Sequence, residues 1–160
     1  MIETKWLSAN ERSAWVKFAA VLELLPAALD LQLSRYQSLT HFEYFTLAML
    51  SEAPNRVLRT SALAARTNAT LPRLSRVVTH LESAGLVERS PCSEDRRATN
   101  VALTEVGWQK VVAAAPGHVA AVRSLVVDAL TPTQVENLSE ILTAVLKQLD
   151  PGGRMLASDS

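Results

Sequence analysis

Apolar residues between Asn10 and about Ser34 recur at steps of three and four: Trp15, Phe18, Val21, Leu22, Leu25, Leu29 and Leu33. That spacing predicts a helix with one apolar stripe, capped by Asn10 and kinked where Pro26 removes a backbone donor. A second helix is predicted from Thr40 to about Ser51, with Thr40 and Glu43 as a capping box and Phe42, Phe45, Leu47 and Leu50 for packing. "RVLRT" is long enough only for a minor strand. Ser61 is placed to cap a short third helix, "ALAART", and "TNAT" is a turn. A fourth helix is predicted from Thr70 to about Ser83, closed by Gly85 because glycine takes the left-handed conformation without strain. "LVERS" and "TNVALT" are rich enough in β-branched and apolar residues to be the two strands of a hairpin. Beyond Gly107 the pattern predicts a long helix, bent or interrupted at Pro116 and Gly117 and ending near Leu130. Thr131, Pro132 and Gln134 open a last helix whose Val135, Leu138, Leu142, Val145 and Leu149 form a seam for helix packing. "PGGRMLASDS" reads as a frayed tail.

The predicted order is two helices, a helix-turn-helix, a β-hairpin and two more helices, a mainly α (α+β) architecture. With 160 residues, 48% of them hydrophobic, the chain suffices for one domain, or one domain with helical extensions that need a partner. The single cysteine, Cys92, excludes an internal disulfide and fits a reducing compartment. No uninterrupted apolar run approaches the ~18–20 residues that span a bilayer, and the first residues lack a signal-peptide core. A cytoplasmic setting without a membrane partner is the expectation.

Net charge is zero, but its distribution is uneven. Residues 56–97 hold eight arginines and no lysine against Glu82, Glu88, Glu94 and Asp95, and the rest of the chain carries the compensating acidic excess. Arginine is suited to bidentate recognition of phosphate and guanine. On the helix from Thr70, Leu71, Leu74, Val77, Val78 and Leu81 form the face expected to pack inward. Pro72, Arg76, Thr79 and Ser83 lie opposite, with Arg73, Ser75 and His80 on the flanks. Arginines, hydroxyls and the positive end of a helix dipole are the parts a recognition helix brings to a major groove. The hairpin follows with almost no linker, so its charged tip, Glu94 to Arg97, is held beside that face. Arg96 and Arg97 could reach the adjacent minor groove, and Asp95 would brace the arginine two residues on. The candidate DNA-binding set is Ser61, Thr70, Pro72, Arg73, Ser75, Arg76, Asp95, Arg96 and Arg97.

The run "SALAARTNATLPRLSRVVTHLESAGLVERSPCSEDRRATNVALTEVG" resembles the winged helix-turn-helix of the MarR family of bacterial transcriptional regulators. Its most specific part is Asp95-Arg96-Arg97 followed by Leu103-Thr104 and Gly107, with "LESAGLVER" as lead-in. The resemblance implies a homodimer joined by terminal helices, a near-palindromic double-stranded DNA operator, a repressor, and release on binding a small, often aromatic, molecule. It maps Pro72, Arg73, Ser75 and Arg76 onto the recognition helix and Asp95 and Arg97 onto the wing. The implied division is a dimerisation helix over 1–36, a DNA-binding lobe over 37–107, dimerisation helices over 108–150 and a flexible tail over 151–160.

A sensing pocket would lie where the dimer helices meet the lobe, and Trp15, His41, Tyr44 and Phe45 are its candidates, weighed against ordinary core packing. Trp108 reads as a packing residue. Cys92 admits a redox-sensing alternative, His80 a phosphate contact, and His118 a place on a helix surface. His41, His80 and His118 show no metal-ligand spacing, so neither a metal nor another cofactor is expected. No glycine-rich phosphate loop, nucleophile elbow or catalytic carboxylate pair is present, which argues against an enzyme. The rival from another class is a winged-helix protein-interaction module that does not bind DNA.

Overall fold

The computed structural model describes residues 4–156. Among these residues six α-helices and three short strands follow in the order α1 (Ala9–Gln37), α2 (His41–Glu52), β1 (Val57–Arg59), α3 (Thr60–Arg66), α4 (Leu71–Ser83), β2 (Val87–Pro91), β3 (Thr99–Leu103), α5 (Glu105–Leu125) and α6 (Pro132–Leu149). The antiparallel sheet has the order β1-β3-β2, with Leu58 opposite Val101 and Val87 opposite Leu103. A mainly helical chain with a small sheet is the winged-helix architecture expected.

Local capping chemistry sets most boundaries. Thr40 and Glu43 form the predicted capping box of α2, Thr131 and Gln134 that of α6, and Thr70 Oγ1 accepts the Arg73 amide to start α4. Gly85 closes α4 at φ 74. Three expectations are corrected. The cap of α1 is Ser8, not Asn10, through a Ser8–Glu11 capping box. Ser61 does not cap α3, which starts at Thr60 from an Arg59 that makes no side-chain cap. The helix α5 begins at Glu105, capped by Thr104, and passes Pro116 unbroken to end at Leu125 rather than Leu130. Pro26 lies inside α1, which runs from Ala9 to Gln37 as one helix.

One core serves the lobe. Leu33 and Leu39 come from α1 and its exit, Leu47 and Leu50 from α2, Leu63 from α3, Leu74, Val78 and Leu81 from α4, Val87 and Val101 from the hairpin, and Val111 and Ala114 from α5. Gly107 is where α5 crosses the hairpin root. A Cβ there would overlap the Leu86 carbonyl oxygen and come within 2.7 Å of Leu103 Cδ1, so only glycine admits this approach. Trp108 packs on the core as expected, under the Arg56 guanidinium at 4.1 Å from its ring centroid.

Outside the lobe the packing thins. None of the residues of α6 is buried. The stretch Glu105–Ala129 is long and apolar enough to cross a membrane by length and composition alone, though interrupted by Lys110 and Arg123, and its Val111 and Ala114 belong to the lobe core. Of the expected tail, residues 151–156 are described, and Asp150 Oδ2 accepts the Met155 amide at 2.9 Å. Residues 157–160 lie outside the described residues.

Candidate nucleic-acid interface

The amphipathic pattern of α4 places Leu74, Val78 and Leu81 at 0–1% exposure, while Pro72, Arg73, Ser75, Arg76 and Thr79 remain exposed. The expectation fails at Leu71. It is 55% exposed, because the first residue of a helix has no preceding turn to lie over and its side chain projects past the helix end.

Two flanks of α4 are tied down. On one side Arg73 lies 4.0 Å from the centroid of Phe42, and His80 Nδ1 is 2.6 Å from Glu43 Oε1. His80, a candidate phosphate contact, is therefore engaged within the lobe. Glu43 is itself buried and holds the Thr40 amide with its other oxygen, so α4 and α2 share one carboxylate. On the other side Arg89 of β2 reaches across. Its guanidinium donates to Glu82 Oε2 at 3.0 Å, to the Ser75 carbonyl at 2.8 Å and to Thr79 Oγ1 at 2.8 Å, and its amide donates to Glu82 Oε1 at 2.8 Å. Chiefly through that amide, and then through the guanidinium, the Glu82 carboxyl is held below the ordinary carboxylate value. The hairpin is thus bolted to α4, an arrangement that the spacing of Glu82 and Arg89 does not disclose in sequence.

The hairpin tip is ordered from within. Asp95 Oδ1 accepts the Arg97 amide at 3.0 Å and its carbonyl accepts the Ala98 amide at 2.9 Å. Asp95 braces Arg97 as expected, but through the backbone rather than the guanidinium. From the root, Arg59 pairs with Glu94 at 3.1 Å and Thr60 Oγ1 donates to the Thr99 carbonyl at 2.9 Å. Cys92 is 6% exposed, and the Glu94 and Asp95 amides directed at its sulfur lower its pKa against the opposing effect of burial.

Between α3, α4 and the hairpin lies an open groove of about 440 Å³, which brings Ser61, Leu71, Ser75, Asp95 and Arg97 together with Arg59. Thr70, Pro72, Arg73, Arg76 and Arg96 are outside its lining. Among the described residues, the side chains of Arg76, Arg96 and Arg97 are exposed and carry no ion pair.

A second cluster sits where α1, α2 and α5 meet. The His41 amide donates to Asp30 Oδ1 at 2.9 Å, and the His118 ring lies 6.1 Å from that of His41 and 4.6 Å from that of Tyr44. His118 is therefore an inter-helix residue and not a surface one. Burial lowers the pKa of both imidazoles; Asp30 opposes this at His41, and His41 adds to it at His118. His118 Nδ1 and Gln32 Oε1 are buried without hydrogen-bond partners among the described residues. Phe45 stacks 6.5 Å from His41 and lines a separate cavity of about 300 Å³ with Met49, Arg66 and Leu146. Trp15 does not join them. It is 55% exposed beside Phe18, about 22 Å along α1 from Asp30 at the rise of a helix.

Four likenesses bear on this geometry. Residues 39–99 match the model of the MarR family. The structure superimposes on Sco3205, a MarR family transcriptional regulator from Streptomyces coelicolor solved in complex with DNA, with TM-score 0.89 and 40% identity over 94% of each chain. It also superimposes on AbsC, a MarR family regulator from the same organism, with TM-score 0.85 and 36% identity over 91% of this chain and 98% of that one. The HTH-type transcriptional regulator YdcH of Bacillus subtilis is 34% identical over 80 residues, 49% of this chain and about half (54%) of that protein.

Proposed function

The chain belongs to the MarR family, whose members are transcriptional regulators rather than enzymes, and on that premise we propose that it is a sequence-specific DNA-binding repressor that acts as a homodimer. The observation that carries the DNA reading is the groove between α4 and the hairpin, flanked by guanidinium groups that the lobe leaves unpaired while it pins the surrounding side chains. Arg76 reads a base edge from the recognition helix, Arg97 and Arg96 enter the adjacent minor groove, and the Thr70-capped helix start faces a phosphate. The likeness to Sco3205, a regulator solved with DNA, supports the same assignment.

The dimer reading is supported by what the single chain leaves uncovered. Leu22, Leu24 and Leu31 of α1, Val119 and Leu125 of α5 and Ile141 of α6 are 46–71% exposed. An 18-residue helix with no fully buried residue is marginal in water and needs a partner surface. A second copy supplies one, with 1–36 and 108–150 as the dimerisation segments. The site of action is the cytoplasm. Release follows from a small aromatic effector seated at His41, Tyr44 and Phe45, at the joint between lobe and dimer helices, if it favours a spacing of the two lobes that does not fit DNA.

Salt dependence tests the DNA reading. A dimer that neutralises about eight phosphates has a log affinity falling against log salt with a slope of about −7. A flat response returns the chain to a protein-interaction module.

A further inference from the structure

The groove contains one large apolar side chain, which phosphate and guanine contacts leave unused. Leu71, the first residue of α4, is 55% exposed and lines the groove beside Ser61, Ser75 and Arg97. The apolar face behind it is fully formed: Leu74, Val78 and Leu81 are 0–1% exposed, so Leu71 is not the visible part of a loose core. A large aliphatic group in a cationic groove does nothing for phosphate binding. On a base-pair edge in the major groove, the apolar group it can meet is the C5 methyl of thymine. We propose that Leu71 is a specificity-determining residue that contacts a thymine methyl and selects a T·A pair at one position of each half-site.

The geometry favours this contact. Residues of the first helical turn are those that approach base edges when a recognition helix enters the groove. Side chains on a helix lean toward its N-terminus, which carries Leu71 forward, beyond the cap residue Thr70. Ser75 follows one turn later on the same side, and Arg89 holds its carbonyl at 2.8 Å, which fixes this edge of the helix relative to the hairpin. Arg76 lies outside the groove lining, so guanine and thymine would be read at different positions.

The inference rests on the DNA-binding reading, and its test separates the two. The full chain is used to select duplexes from a random pool, and the winning duplex is remade with deoxyuridine in place of each symmetry-related pair of thymines. Deoxyuridine keeps every hydrogen-bonding group and lacks only the methyl. At one pair of positions the wild-type chain is expected to bind the thymine duplex about fourfold more tightly per half-site, the worth of one buried methyl. Leu71→Ala is expected to bind both duplexes equally, and Leu71→Met, which retains an apolar contact, to keep the preference. Indifference of the wild type to deoxyuridine at every position overturns the proposal, as does a Leu71→Ala chain that weakens on both duplexes but still prefers thymine. Selection of no duplex in dilute buffer overturns the DNA reading instead.

Discussion

Arg76 differs from its neighbours in having nothing to hold it. Arg73 is committed to Phe42, Arg59 to Glu94 and Arg89 to Glu82, Ser75 and Thr79. Arg76→Ala should therefore leave the fold intact, cost about 1–3 kcal/mol of binding and relax base preference at one position per half-site. Equal weakening across all sequences, measured against a panel of operator variants, would make it a phosphate contact. The histidine pair makes a separate prediction. Burial holds His41 and His118 below the ordinary 6.5, so the unfolded chain binds protons that the native chain refuses. Their contribution is present above that value and is lost as pH falls through it toward the depressed native values. Melting temperature should drop from neutrality to about pH 5, less steeply in His118→Asn; a parallel drop would exonerate the pair. Caps such as Thr40–Glu43 were legible because they are local. Ser8–Glu11 carries the same signal, four residues within one turn, and the nearer Asn10 obscured it. The exposure of Leu71 was not legible, because a helical wheel treats an end residue like any other.

At the scale of elements, the link between hairpin and α4 joins the two halves of the proposed interface. Arg89 makes no predicted contact with DNA, yet it fastens β2 to the middle of α4. Arg89→Ala should weaken operator binding without changing the salt slope, because no phosphate contact is lost, and should accelerate amide exchange in the hairpin. A slope made shallower would instead assign Arg89 to the phosphates. Proline misled the reading of α5. Pro116 removes one hydrogen bond, but α1 packs closely there: a Cβ on Gly117 would lie 3.1 Å from Gln32 Nε2. The Pro-Gly pair marks a close helix contact rather than a break, and only tertiary packing distinguishes the two. The hairpin and its charged tip, by contrast, were evident from composition and periodicity.

For the whole molecule, the clustering of arginine within residues 56–97 was readable directly and pointed to the lobe proposed to bind DNA. The assembly was readable only as apolar seams without partners, because a seam facing its own core and one facing a second copy look alike in one chain. Sedimentation at micromolar concentration should find a dimer, and Leu142→Asp on the α6 seam should shift it toward monomer and abolish tight operator binding. A monomeric wild type would refute this assembly. In the dimer the two recognition helices should sit ~34–36 Å apart, so that selected duplexes are near-palindromes.

The sequestered sulfur of Cys92 offers a clock for the hairpin. Its backbone amide is bonded to the Ala98 carbonyl at 2.9 Å, so a thiol reagent gains entry when that closure parts. The rate of labelling by such a reagent then counts openings of the tip, and a bound operator should slow it many-fold. Labelling equally fast with and without duplex would mean that the tip is free even when DNA is held.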